Sequence, residues 1–434
     1  MTGTSCDLYE LTMAVSYLDQ GMGGEAVFSL YPRVLPPDRG YLVAAGVDDA
    51  VDAVCALRFD DDELAWLGGI GFRPDAVARL ADVRFTGEIH AVPEGRIVTA
   101  GEPILEITAP LVEAQLVETI VLNQVTYQTA IATKAARCVD AAAGRIALAD
   151  FAFRRTHGVE AALAVARVSA MVGFVGTSNV PAARRFGLPA VGTMAHSYVE
   201  AFPSERDAFR TFAGLFPDRA TFLVDTYDTL EGVRAAADVI RELGLAQDVG
   251  VRLDSGDLAG LARSARTILD DAGLPHVRIL ASGGLDEHSI AELVQAGVPI
   301  DAVGVGSQLG VSADAPTVET AYKLVSYEGR PVRKRSPGKA SFPGAKQVWR
   351  SPEGDRITAR DEVVADAEPL LVPMVRDGRR VVERPTIEAN RQVFRRDLEA
   401  LPAVARRLRS PEPLAATFSP ALLQLAAEAD AAHP

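Results

Sequence analysis

Seven short polar signatures, each placed where an apolar run stops and a helical pattern begins, constrain this chain more than any other feature. They are DFAFRR (Asp150–Arg155), FVGTSN (Phe174–Asn179), GTMAHS (Gly192–Ser197), LVDTYDT (Leu223–Thr229), VRLDSGD (Val251–Asp257), LASGGLDE (Leu280–Glu287) and VGVGSQLG (Val303–Gly310). One such junction would mean little. Seven between Asp150 and Gly310 describe strand–loop–helix units repeated around a shared site. In barrels of parallel strands the chemistry collects at the C-terminal strand ends, on the loops that follow. Every signature lies at that end.

From Arg145 onward, apolar runs at 145–149, 171–175, 188–192, 219–224, 249–253, 276–281 and 299–305 alternate with amphipathic stretches such as Asp228–Leu243 and Asp257–Ala272. Asp228-Thr-Leu-Glu231 reads as a capping box, and Gly244 and Gly273 as C-terminal stops. Strand alternating with helix predicts a parallel sheet. Seven units with loop chemistry at one end favour a closed or nearly closed α/β barrel. No G-x-G-x-x-G follows a first strand, so a dinucleotide fold is disfavoured.

The flanks read differently. Gly24–Arg33, Val83–Val98 and Ile104–Thr108 have strand character, and Asp49–Arg58 and Asp61–Leu67 are helical. The helical pattern from Pro110 to about Ala143 is long for one helix, so a break is expected near Asn123–Gln124. Beyond Tyr322 the barrel rhythm fades. Arg330–Arg350 carries seven basic residues and no acidic one, with glycines and prolines that predict loops and hairpins. Strands near Glu368–Val375 and Arg379–Val382 and terminal helices follow. The expected division is 1–125, 126–325 as the barrel, and 326–434, with the basic loop at 330–350.

At 434 residues the chain has room for two or three domains. Its net charge of −14 argues against a general nucleic-acid binder, which needs a basic face. MTGTSCDLYELTMA has no basic n-region before an apolar core, and no apolar run reaches the roughly 18 residues that span a bilayer. Cys6, Cys55 and Cys138 are scattered without a CxxC pair, which disfavours a cysteine zinc site and points to a reducing cytoplasm.

Asp225 and Asp254 end two successive runs. Two carboxylates converging at a rim suit hydrated Mg²⁺ and sugar hydroxyls; strand-end aspartates also cap helices, but Asp228 and Asp257 are better placed for that. Ser282–Gly284 and Gly304–Gly306 follow the last two strands, where a barrel's phosphate site usually lies, although loop glycines are also ordinary turn formers. Arg154 and Arg155 beside Phe151 and Phe153 suit a planar aromatic carboxylate, or a surface ion pair. His196 stands at the mouth of the same barrel. Asp225, ending the next strand, is expected to orient its ring and raise its basicity, against the alternative of a structural histidine.

Taken together, these motifs resemble the nicotinate phosphoribosyltransferase family, within the type II phosphoribosyltransferase group. The resemblance runs from Asp7-Leu-Tyr-Glu-Leu-Thr-Met to Gly344-Ala-Lys-Gln-Val. It implies an irregular parallel α/β barrel plus a split α/β sandwich domain built from N-terminal and C-terminal segments. It implies ATP-coupled condensation of nicotinate with phosphoribosyl pyrophosphate to nicotinate mononucleotide and pyrophosphate, in a cytoplasmic homodimer with shared sites. His196 would carry phosphate from ATP, with Asp225, Asp254 and Arg252 as its catalytic companions. Phe151 would stack on the pyridine ring, with Tyr9 from the partner subunit on the other face. Arg154, Arg155 and Arg252 would hold carboxylate and phosphoribosyl groups, with Thr177 and Ser178 beside them. Gly283, Gly284, Gly304 and Gly306 would cradle the 5′-phosphate, Asp225 and Asp254 would hold Mg²⁺, and Lys334 and Lys339 would meet nucleotide polyphosphate.

Two positions depart from the family pattern. Ala152 replaces a usual glycine and is expected to crowd the ring slot; Cys6 replaces a threonine without evident consequence. Ser178 stands where nicotinamide-using relatives carry an aspartate, which favours the acid over the amide. The alternatives are a quinolinate or nicotinamide phosphoribosyltransferase and an inactive barrel that binds phosphorylated metabolites. The GTMAHS histidine disfavours the quinolinate reading, and His196, Asp225, Arg252 and Asp254 together disfavour the inactive one.

Overall fold

A computed structural model of the chain describes residues 3–336 and 341–432. Two compact units emerge, one from the residues up to Thr133 with those from Thr317 onward, the other from Lys134–Pro316.

The Lys134–Pro316 unit holds a six-stranded sheet in which every pair is parallel. Across the sheet the order is Gly176–Thr177, Ala147–Asp150, Ala302–Val305, Arg278–Ala281, Gly250–Leu253, Thr221–Leu223. A parallel bridge from Thr177 to Ala190 adds the remaining apolar run at one edge. In chain order, each run therefore neighbours the next and the last returns to the first, as in a barrel. The exception is the seam between Ala190 and Thr221–Leu223, which share no ladder among the described residues. The 188–192 run contains Pro189, which has no N–H to donate, so it pairs through a single bridge. The irregular α/β barrel is borne out, with one open seam.

Helix boundaries follow local chemistry. Asp228 accepts from the N–H groups of Leu230 and Glu231 and caps Thr229–Leu243. The reciprocal half of the expected capping box is absent, because the Glu231 carboxylate turns to Arg234 at 2.7 Å. Gly244, at φ +61°, ends that helix in the left-handed region where a Cβ is costly. Asp257 caps Leu258–Asp271, and Asp286 caps Glu287–Gln295 in a reciprocal box with Ser289. Each such cap contributes about 1 kcal/mol. With Asp228 and Asp257 so engaged, Asp225 and Asp254 stay at the rim.

The other unit is split along the chain. Its seven-stranded sheet runs Arg330–Pro331, Thr320–Tyr327, Glu25–Pro32, Leu105–Pro110, Glu88–Ala91, Val372–Arg376, Arg379–Arg380. All of its pairs are antiparallel, and N-terminal and C-terminal strands interleave as expected. Phe28 and Tyr322 stack across the Glu25–Pro32 and Thr320–Tyr327 pair, ring centroids 4.9 Å apart. The Tyr322 hydroxyl, fully buried, donates to the Ala114 carbonyl at 2.8 Å. A second sheet contains Lys346–Ser351 and Gly354–Ala359.

The long helical stretch breaks at Val117, between Leu111–Leu116 and Glu118–Ala142, not near Asn123–Gln124. Asn123 is exposed, and Gln124 pairs one turn along the helix with Gln128 at 3.0 Å. Polar residues on a solvated helix face interrupt an apolar pattern without interrupting the helix.

Candidate active site

Asp150 ends the Ala147–Asp150 strand and is almost fully buried. Its carboxylate accepts from the Ala152 N–H at 2.8 Å and from the Thr177 hydroxyl at 2.6 Å. Its carbonyl accepts from the Ser178 N–H at 2.8 Å. Three bonds thus tie the FRR turn and the FVGTSN loop to one strand end. Burial pushes the Asp150 carboxyl above the usual carboxylate range, against the pull of those hydrogen bonds. Thr177 is therefore a buried strut, whereas Ser178 is only half-buried.

Phe151 follows, with its ring laid over the adjacent Ala302–Val305 strand. A Cβ built on Gly304 would stand 2.3 Å from the ring, so only glycine at 304 lets Phe151 lie there. Gly304 seats an aromatic ring instead of opening toward a phosphate, which corrects its expected place in the cradle. Arg252 covers the same ring, its guanidinium carbon 5.5 Å from the centroid. Their strands are separated by two others. On a flat sheet that separation is roughly 14 Å, so the contact requires a curled sheet with both side chains inside.

Arg252 is the hub. Its Nε donates to the Ser282 hydroxyl at 2.7 Å and one terminal nitrogen to Asp254 Oδ1 at 2.7 Å. The other terminal nitrogen makes only long contacts, 3.4 Å to the Thr193 hydroxyl and 3.4 Å to the Met194 carbonyl. Ser282 in turn donates to Asp254 Oδ1. Burial raises the Asp254 pKa, but the Ser282 and Arg252 hydrogen bonds and the Arg252 charge outweigh it and hold the carboxyl below the usual range.

His196 opens the short His196–Glu200 helix. Its Nδ1 lies 3.2 Å from the Thr226 hydroxyl, and its Nε2 3.9 Å from Asp254 Oδ2. The ring remains 42% exposed, so one edge is open to a ligand. The expectation that Asp225 orients this ring is corrected. Asp225 Oδ2 accepts from the Asp254 N–H at 3.0 Å and from the Ser255 hydroxyl at 2.6 Å. Parallel pairing sets this, because the Val224 N–H donates to the Arg252 carbonyl and brings Asp225 level with Asp254. Asp225 Oδ1 has no hydrogen-bond partner among the described residues.

Gly283 is constrained twice. It sits at φ +98°, and a Cβ would meet the Asp254 carbonyl at 2.0 Å. Gly284, at φ +71°, and Gly306 have room around them. Arg154 and Arg155 lie in the Phe153–Arg155 turn, exposed and without an ion pair among the described residues. Ala152 does not crowd the rim. It is fully buried and faces Gly310, where a Cβ would stand 2.9 Å from its methyl.

Sequence reasoning passed over Ser282, Thr226, Asp150 and Glu205 as site residues. Glu205 starts the Glu205–Leu215 helix; burial first, then the charges of Asp228 and Asp225, raise its pKa. The first three stand inside or beside the quoted signatures, but nothing in one strand names its partner on another. In the split unit, Tyr9 is 45% exposed on the Leu8–Asp19 helix. Lys334 is exposed, Lys346 is buried against Glu106 at 3.0 Å, and Lys339 lies outside the described residues. No helix among the described residues is long and apolar enough to cross a membrane.

Three family models match in sequence: the nicotinate phosphoribosyltransferase N-terminal domain over residues 4–126, the nicotinate phosphoribosyltransferase family over 146–344, and its C-terminal domain over 346–426. The chain is 49% identical over 410 residues to nicotinate phosphoribosyltransferase pncB2 of Mycobacterium tuberculosis, covering 93% of this chain and 88% of that one. It is 42% identical over 381 residues to nicotinate phosphoribosyltransferase of Bacillus subtilis, covering 84% and 77%. The crystal structure of human nicotinic acid phosphoribosyltransferase aligns with a TM-score of 0.86 at 28% identity, over 97% of this chain and 99% of that one.

Proposed function

The chain belongs to the nicotinate phosphoribosyltransferase family, and from that premise we propose that it condenses nicotinate with phosphoribosyl pyrophosphate, coupling the reaction to ATP hydrolysis through a phosphate carried on His196. The observation that carries this reading is a continuous line of contacts from Phe151 through Arg252 and Asp254 to His196. One end offers a flat apolar ring beside a guanidinium. The other offers an imidazole with an exposed edge.

Nicotinate is a planar ring bearing a carboxylate. Phe151 supplies the ring contact, and Arg154, Arg155 and the incompletely engaged Arg252 supply positive charge for the carboxylate and the phosphoribosyl group. Ser178, half-buried and uncharged, leaves room for an anion. Tyr9 closes the ring slot from the partner subunit of a cytoplasmic homodimer. The N–H groups around Gly283, Gly284 and Gly306 face the 5′-phosphate, next to the Glu287–Gln295 helix start. Lys334 and Lys339 meet the nucleotide polyphosphate.

Mg²⁺ fits this donor set. Asp225 Oδ1 is without a partner among the described residues, and Asp254 Oδ2 has only the 3.9 Å approach to His196. Mg²⁺ binds through one or two carboxylates plus substrate phosphates, so no larger protein cluster is required. Bound there by Asp225 and Asp254, it would neutralise charge on the departing pyrophosphate. The rest falls to the protein. Arg252 and Ser282 keep Asp254 ionised, and Thr226 engages Nδ1 so that Nε2 is the nitrogen left to accept a phosphoryl group.

The test is product analysis by chromatography with nicotinate, phosphoribosyl pyrophosphate and Mg²⁺, with and without ATP. Wild type makes nicotinate mononucleotide and is stimulated by ATP. His196→Ala keeps some synthesis but loses ATP hydrolysis, ATP stimulation and the acid-labile, base-stable label from γ-labelled ATP. A His196→Ala protein that hydrolyses ATP normally and is still stimulated by it would place the coupling elsewhere.

A further inference from the structure

Tyr9 stands between two hydrogen bonds that end on the same residue. The Asp7 N–H donates to the Thr119 hydroxyl oxygen at 3.2 Å. The Glu10 carboxyl accepts from the Thr119 N–H at 3.1 Å and from the Thr119 hydroxyl. Thr119 lies in the first turn of Glu118–Ala142, so that helix start clamps the first turn of Leu8–Asp19 on both sides of the exposed tyrosine. Asp7, the N-cap residue, makes no side-chain cap, so the tie to Thr119 does the work of fixing this end.

Glu10 is an unusual residue to carry such a tie. It is fully buried, and its Oε2 has no hydrogen-bond partner among the described residues. The ionisable groups acting on it or feeling its charge are Glu118, Asp7, Cys6, Tyr9 and Tyr322. None is a cation. Burial, and then the Glu118 charge against the Thr119 hydrogen bonds, pushes the Glu10 carboxyl up to about 7. A buried carboxylate without a cation costs several kcal/mol unless it takes up a proton. Two bonds from Thr119 serve one oxygen, so the proton belongs on the other.

The geometry points to Glu10 as a positioning residue for Tyr9: its neutral carboxyl holds the tyrosine-bearing turn against Thr119, and its ionisation near neutral pH loosens that hold. This rests on the reading that Tyr9 stacks on nicotinate. The consequence is a loss of nicotinate affinity as pH rises, with the turnover chemistry at His196 and Arg252 left to its own groups.

The sign follows from linkage. Glu10 has a higher pKa folded than unfolded, so its contribution to stability is fully present below the unfolded value and is lost as pH rises through about 7. Glu10→Gln keeps the shape and neutrality of the protonated acid and cannot ionise. The test measures nicotinate KM from pH 6 to 8.5, and thermal unfolding from pH 5 to 8, on the full-length wild type, Glu10→Gln and Tyr9→Ala. The expected result is a severalfold rise in wild-type KM across pH 7 that Glu10→Gln lacks, and a Tm advantage of Glu10→Gln that grows between pH 5 and about 7. Parallel KM profiles for wild type and Glu10→Gln, with Tyr9→Ala raising KM, would overturn the positioning role while leaving the base-stacking reading intact. A nicotinate KM unchanged in Tyr9→Ala would sink that reading and the positioning role with it. A constant Tm gap would show that Glu10 holds one charge state throughout, which also overturns the proposal.

Discussion

Two buried arginine networks, one in each unit, differ in how completely their charges are matched. In the split unit, Arg96 donates its Nε to Asp397 at 2.8 Å and both terminal nitrogens to Glu368 at 2.7 and 3.0 Å. Arg350 donates to Asp355 through two nitrogens, to Asp397 through the third, and also to the Ile97 carbonyl. Every guanidinium nitrogen has a short bond. In the barrel unit, Arg252 has two short bonds and one nitrogen with 3.4 Å contacts, beside a carboxylate oxygen and a half-exposed imidazole. A saturated network holds a fold. An unsaturated one, kept in place by buried struts, has hydrogen-bonding capacity left for a substrate.

The largest effect that would test this contrast is on stability. Arg350→Ala strips Asp355 and Asp397 of their main partner, and breaking such a buried pair costs about 3–5 kcal/mol. Denaturant unfolding reads this directly, and nicotinate mononucleotide synthesis per folded molecule should stay near wild type. Next comes Arg252→Ala. Removing a preorganised charge from a transition-state site costs about 10²–10³ in rate, so kcat/KM should fall by that factor. Its stability loss should stay below about 2 kcal/mol, because Asp254 keeps Ser282. Equal destabilisation by the two variants would erase the distinction.

Ser282→Ala sharpens the comparison at smaller scale. Ser282 bridges Arg252 and Asp254, so a loss of about tenfold in kcat/KM is expected from one or two hydrogen bonds. The pH profile gives a second readout. Asp254 is depressed below its ordinary value because the Ser282 and Arg252 bonds outweigh burial. Its ionised form is therefore present above the unfolded pKa and lost as pH falls through the folded one. Without Ser282 the burial effect is less opposed, and the acid limb of activity should move to higher pH. An unmoved acid limb would mean that Asp254 does not set it.

The smallest expected change is at Ser178. Its backbone is pinned by Asp150, but its side chain is half-buried and uncharged. Ser178→Asp should raise nicotinate KM about tenfold through a like-charge contact in a partly dry site, while Tm barely moves. Unchanged nicotinate KM would remove Ser178 from the specificity argument.

Much of this was legible in the linear chain because it depends on local rules. Strand–loop–helix alternation, Asp228, Asp257 and Asp286 as caps, and Gly244 as a stop each follow from a few neighbouring residues. Capping by Asp228 and Asp257 in turn identified Asp225 and Asp254 as the rim carboxylates. The resemblance carried the barrel, the split sheet and the family, because motif order survives changes elsewhere.

Tertiary structure decided which of these residues meet. Register between parallel strands set Arg252 opposite Leu223 on one side and Leu280 on the other, which brought Ser282 within reach. The same register turned Asp225 toward Asp254 and left Thr226 to His196. Curling of the sheet brought Phe151 over Gly304 and under Arg252, turning an expected phosphate glycine into the seat of an aromatic ring. The pairing of helix starts at Glu10 and Thr119 was equally invisible, since their contact spans more than a hundred residues of chain. Periodicity reports the face a side chain takes on its own element. Partners across elements depend on register, twist and closure, which are properties of the assembled sheet.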